Sequence, residues 1–140
     1  MITKLSSPQD SSERPTVILA EDDDMVRSYF VDVLEFAGYE VLSAGDGLGA
    51  VELLRGRPDV GVLLTDVEMP RMDGLTLARH ARELRREIGV LYVSGCDKRE
   101  VAGHAVPGSV FLAKSCKSRV LCEAVAAMFA GQQRAVAEAA

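Results

Sequence analysis

Four short apolar runs in this 140-residue chain each lead to a side chain able to handle a metal ion or a phosphoryl group. TVILA (16–20) runs into Glu21 and Asp22, VGVLLT (60–65) runs into Asp66, VLYVS (90–94) ends at Ser94, and SVFLA (109–113) runs into Lys114. Three carboxylates drawn to one place repel each other, so either some take up protons or a hard divalent cation neutralises them. Mg²⁺ suits such a set, because it prefers oxygen ligands, keeps several waters and takes further ligands from phosphate. A lysine and a small hydroxyl around Asp66 would complete a cage of phosphoryl shape. A positioned carboxylate can itself attack phosphorus to form an acyl phosphate. Phosphoryl transfer is loose, so it asks the protein mainly for positioning and charge neutralisation. Each feature also has a plain structural reading: EDDD (21–24) as a helix start favoured by the helix dipole, Lys114 as a surface residue. Such residues at all four strand ends are what favour chemistry.

The elements that must position these residues follow from hydrophobic period. TVILA and VGVLLT are continuous apolar runs, as in strands buried on both faces, and YEVLS (39–43) alternates like a strand nearer an edge. Val26, Tyr29, Phe30, Val33, Leu34 and Ala37 form a helical stripe that Gly38 is suited to end. Further helices are expected over 48–54, stopped near Gly56 and Pro58, and over 75–84, with Leu77, Ala81 and Leu84 on one side. A last stripe comprises Leu121, Ala124, Val125, Met128 and Phe129. Asp97 with Glu100 resembles a capping box, but Pro107 and Gly108 leave room for only about two turns, so a helix there is expected to be short. Strand and helix alternate with short loops, which predicts a parallel sheet with helices on both faces. In that architecture ligands bind beyond the carboxyl ends of the strands, where the reactive residues fall.

Composition sets the outer bounds. Length and an apolar content of 48 % fit one globular domain, read as residues 16–130. A polar tail at 1–15 precedes it, and a helix end and tail at 131–140 follow. No apolar run approaches the ~18 residues of a membrane span. The three cysteines, Cys96, Cys116 and Cys122, lack a framework spacing and are read as free thiols of a cytoplasmic protein. Residues 1–70 carry five basic and fourteen acidic side chains, whereas residues 71–119 carry ten basic and five acidic. The basic helix RHARELRR (79–86) is read as a solvated face, because no recognition motif or interleaved aromatics accompany it. His80 and His104 lack metal-ligand partners at suitable spacing and are expected at the surface.

LLTDVEMPRMDG (63–74) closely resembles the phosphoacceptor segment of response-regulator receiver domains, and VILAEDDDMVR (17–27), VLYVSG (90–95) and FLAKS (111–115) are similar to that family's first, fourth and fifth strands with their flanks. The likeness covers nearly the whole expected domain, and several spaced motifs agree in order, unlike a lone match. It implies a flavodoxin-like, doubly wound α/β fold with five parallel strands in the order 2-1-3-4-5. It also implies a two-component or phosphorelay function. Asp66 would accept a phosphoryl group from a sensor histidine kinase or phosphotransfer protein. Glu21, Asp22, Asp66 and the backbone carbonyl of Glu68 would hold Mg²⁺, Lys114 would pair with the phosphoryl group, and Ser94 would bond one of its oxygens. Phe111 stands at the aromatic switch position, so Ser94 and Phe111 would carry the change to a downstream effector protein. The readout surface would be the short helix after the fourth strand, the fifth strand and the last helix. Beyond phosphoryl transfer and loss at Asp66 no enzyme activity is implied, nor membrane or direct nucleic-acid binding. With the chain ending about ten residues past the final helix stripe, output is expected through another protein.

Asp23 and Asp24 lie beyond the family's acidic pair and read as helix-start charges. Met69, Pro70 and Gly74 read as structural, with Pro and Gly setting the turn, and Gly95 as leaving an open approach to Asp66. Ser115 stands where the family has a proline joined in cis. A cis bond before a non-proline residue costs about 2.5–4 kcal/mol, so the peptide is expected to be trans with a shifted loop, or strained. Cys116 replaces a common apolar or aromatic residue. Glu68 is expected to alter phosphoryl lifetime by steering water or repelling the anion. Three rival readings compete with this one. A haloacid-dehalogenase-type phosphatase uses DxDxT after its first strand, whereas here DVEMP follows the third. A flavin binder of the same fold would need its phosphate loop where EDDD repels phosphate. A degenerate receiver that binds partners without phosphorylation rests on Ser115 alone.

Overall fold

Apolar runs flanked by Gly, Asp and Pro become the strands, and amphipathic stretches between them become the helices. The computed structural model describes residues 14–95 and 101–139, with side chains up to residue 133. Its elements are β1 (Thr16–Ala20), α1 (Asp24–Phe36), β2 (Glu40–Ala44), α2 (Gly47–Gly56), β3 (Val62–Thr65), α3 (Gly74–Leu84), β4 (Gly89–Ser94), β5 (Val110–Ala113) and α4 (Ser118–Ala139). The strands form one sheet in the order β2-β1-β3-β4-β5, every pair parallel. This is the doubly wound fold expected. Most of the anticipated tail, together with Cys96, Asp97 and Glu100, lies outside the described residues. Of the expected short helix, Val101 is helical and residues 102–109 are turn and loop.

Strand alternation builds two cores. Ile18, Ala20, Leu63, Val90 and Tyr92 face α2 and α3 and pack with Leu54, Leu77 and Ala81. Val17, Leu19, Val62, Leu64, Leu91 and Val93 face α1 and α4 and pack with Phe30, Leu34, Leu121 and Val125. Burial on both faces explains why β1 and β3 read as unbroken apolar runs.

Helix ends follow local chemistry. Asp23, Asp46 and Asp73 are the N-caps of α1, α2 and α3, each accepting from a backbone N–H of the first turn. At the far end of α1 the Gly38 N–H reaches the Glu35 carbonyl and the Tyr39 N–H the Leu34 carbonyl, a Schellman stop that uses the left-handed φ of Gly38, +105°. The last helix continues to Ala139, through the stretch read as a helix end and tail. The segment AVAEA is rich in strong helix formers and holds no breaker. No helix of the described residues is long and apolar enough to cross a membrane.

Candidate functional site

The strand order reverses at β1, whose neighbours are β2 on one side and β3 on the other. The crevice beyond the carboxyl ends of β1 and β3 is where this architecture leaves space. Glu21 and Asp66 are the first residues past those two strands, and the Asp66 N–H donates to the Ala20 carbonyl at 3.0 Å. Both side chains are buried, whereas Asp22 is exposed. Glu21, Asp22 and Asp66 each present a carboxylate oxygen within 4.8 Å of the others. Lys114, just past β5, places Nζ 2.9 Å from Asp66 Oδ2 and 3.3 Å from Glu21 Oε2. Residues 93 positions apart in the chain thus share one ion-pair cluster.

The electrostatics follow from that crowding. Burial pushes the Glu21 carboxyl above the usual carboxylate range, and the Asp66 charge adds to this against the Asp23 N–H and the Lys114 ammonium. Burial draws the Lys114 ammonium down, but the Asp66 and Glu21 carboxylates outweigh it and hold its pKa above the ordinary lysine value. Three hard oxygen donors beside one ammonium are a donor set that suits Mg²⁺ and a phosphoryl oxygen better than a soft metal.

Ser94 closes β4, is buried, and its carbonyl accepts from the Lys114 N–H at 2.9 Å. Gly95 beyond it is exposed, and a Cβ there would meet nothing within 4 Å. Glu68 is exposed, and its N–H donates to Asp66 Oδ1 at 3.4 Å. Phe111 pairs in register with Tyr92 of β4. It is half-buried on β5 against the core of Tyr92, Val101 and Val106, beside a cavity of about 530 Å³. Asp23 and Asp24 do sit at the helix start, and His80 and His104 are exposed. Cys116 and Cys122 are free thiols. The Lys114–Ser115 peptide is trans, and Lys114 still reaches Asp66.

Two features of the loop after Asp66 differ from expectation. Its left-handed residue is Arg71 (φ 70°) rather than a glycine, and the guanidinium pairs with the α2 cap Asp46. Gly74 sets no turn there. It opens α3, and a Cβ on it would lie 1.9 Å from the Asp66 carbonyl oxygen. Sequence reasoning also missed Arg27, which donates from Nη1 to the Glu21 carbonyl at 2.8 Å and pairs through Nη2 with Asp24 at 2.5 Å. An acid and a base three positions apart at a helix start were the available signal.

Residues 17–126 match the family described as the response regulator receiver domain. The response regulator receiver protein CpdR of Brucella abortus (strain 2308) is 42 % identical over 79 residues, 56 % of this chain and 65 % of CpdR. The sensor kinase CckA of the same strain is 39 % identical over 93 residues, 66 % of this chain and 10 % of CckA. The matched segment therefore spans less than two thirds of either relative. The crystal structure of a response regulator receiver protein from Sinorhizobium medicae WSM419 aligns with a TM-score of 0.79 at 31 % identity, covering 84 % of this chain and 95 % of that one.

Proposed function

The chain belongs to the response regulator receiver family, and from that premise we propose that Asp66 is a phosphoacceptor switched by a partner kinase. The observation that carries this is Lys114 Nζ at 2.9 Å from Asp66 Oδ2, in a cluster that Glu21 and Asp22 complete. Asp66 attacks the phosphorus of a phosphohistidine on a sensor kinase or phosphotransfer protein. The new bond is O–P, the N–P bond breaks, and the imidazole leaves with the electron pair. Glu21, Asp22, Asp66 and the Glu68 carbonyl would hold Mg²⁺, which would supply neutralisation of the phosphoryl charge. Lys114 pairs with a phosphoryl oxygen, and Ser94 moves in to bond another. The space near Phe111 lets that ring respond, biasing the 101–109 segment and β5 toward a second arrangement read by a downstream effector protein. Members of the family are signalling modules rather than turnover catalysts, and Asp66 here is modified, then restored by hydrolysis. The setting we infer is the cytoplasm, with no membrane or direct nucleic-acid partner.

The test is labelling by acetyl phosphate or by phosphorylated candidate kinases. Wild type should acquire acid-stable, base-labile label only with Mg²⁺ present, and Asp66→Ala none. Label on Asp66→Ala, or none on wild type with any donor, would overturn the assignment. Following decay of the same label in Glu68→Asn tests the lifetime role of Glu68. A decay rate equal to that of wild type removes that role.

A further inference from the structure

Four acidic residues in a row, Glu21 to Asp24, follow β1, yet the fold gives each a different task. The Glu21 carboxylate is buried and engaged by the Asp23 N–H at 3.0 Å and by Lys114. Asp23 is spent on the helix cap, accepting from the Met25 and Val26 N–H groups. Asp24 is held by Arg27, and Asp22 alone of the last three joins Glu21 and Asp66 within 4.8 Å. One guanidinium therefore grips both ends of the run, the backbone carbonyl of its first residue and the carboxylate of its fourth. Gly45 lies beside it, where a Cβ would stand 3.4 Å from Arg27 Nη1, at ordinary contact. The Arg27 side chain is 24 % exposed, against 87 % for Asp24.

We propose that Arg27 is a positioning and selectivity residue for the divalent cation: it fixes the turn that carries Asp22 by holding the Glu21 carbonyl, and it withholds Asp24 from the ion. This rests on the cation site proposed above. The two contacts come from two nitrogens of one planar fork, a spacing that the single ammonium nitrogen of lysine cannot reproduce. Selectivity follows from coordination chemistry. Mg²⁺ demands near-octahedral geometry with few protein ligands, while Ca²⁺ accepts six to eight oxygens in a flexible shell. A slack β1–α1 turn with an extra free carboxylate therefore penalises Mg²⁺ and suits Ca²⁺.

Calorimetric titration of the 140-residue chain with MgCl₂ and with CaCl₂ tests this. In Arg27→Met, Mg²⁺ binding should weaken about tenfold, the lower end of what outer-shell partners of metal ligands contribute. Ca²⁺ binding should improve, so the ratio of the two affinities falls. Adding Asp24→Asn to Arg27→Met should remove the Ca²⁺ gain while Mg²⁺ stays weak. If the methionine variant does not fold, Arg27→Lys keeps the charge and should still lower the Mg²⁺/Ca²⁺ ratio. Melting without metal separates a merely structural role, which would lower stability and leave that ratio untouched. An unchanged ratio in folded Arg27 variants, with Mg²⁺ binding still lost in Asp22→Ala, overturns the role of Arg27 and leaves the cation site standing. A wild type that takes up no Mg²⁺ overturns both.

Discussion

Backbone approaches as close as that of Gly74 to Asp66 decide whether the Asp66 carboxylate can be held still. The three atoms nearest a Cβ at position 74 are the Asp66 carbonyl oxygen at 1.9 Å, its carbon at 2.9 Å and the Val67 Cα at 3.0 Å, all backbone. No flexible side chain can yield there. In an ordinary helix Gly→Ala stabilises by about 1 kcal/mol. Here Gly74→Ala is expected to destabilise by about 3 kcal/mol, as overpacking does, and to shift Asp66 relative to Lys114. Urea unfolding measures the first effect, and a variant as stable as wild type would contradict the close approach. The identity of Gly74 was plain in the sequence, but its reason was not. DG at 73–74 reads as a turn, whereas the structure gives the left-handed φ to Arg71 and uses Gly74 for contact.

Elements are tied together at the rim opposite the site as well as at the site itself. Arg57, following α2, donates to Glu40 at the start of β2 at 3.0 Å and to Asp59 before β3 at 2.8 Å, and the Thr16 hydroxyl at the start of β1 approaches both carboxylates. The Arg57 guanidinium holds the Asp59 carboxyl at about 2, below its usual 3.8, and lowers Glu40 too. Because these pKa values are depressed on folding, the stabilisation is fully present above the ordinary carboxylate pKa and fades as pH falls toward 2. The Asp59 side chain is 50 % exposed, so solvent screening keeps its pair weak. Asp59→Asn should therefore be slightly less stable than wild type at pH 7, with the gap closing below pH 4. Denaturation across that range checks it, and a gap that widens in acid would refute the linkage. Strand identities and the Gly38 helix stop were legible from local pattern. This clamp was not, since residues 16, 40, 57 and 59 meet only once three strands are in register.

For the molecule as a whole, one sheet separates two cores that share strands but not side-chain faces. Ile18 and Leu34 are both fully buried, Ile18 against α2 and α3, Leu34 against the α1 and α4 side. Ile18→Val should cost about 1 kcal/mol and Leu34→Ala about 3 kcal/mol. Lying on opposite faces, they should add to within about 0.5 kcal/mol in the double variant, and a larger coupling energy would mean that the sheet transmits strain between cores. The sequence by itself determined the alternation of elements, the apolar faces and the placement of Glu21, Asp66, Ser94 and Lys114 at strand ends, because hydrophobic period and chain order are local properties. Only the tertiary structure decided which acid of the EDDD run is buried, which caps α1, which faces Asp66 and which is bound by Arg27. It alone decided that a trans Lys114–Ser115 peptide still delivers the ammonium to Asp66. Those outcomes depend on backbone atoms from segments tens of residues apart meeting at one rim, and identical side-chain types in one short stretch carry no mark of which will meet what.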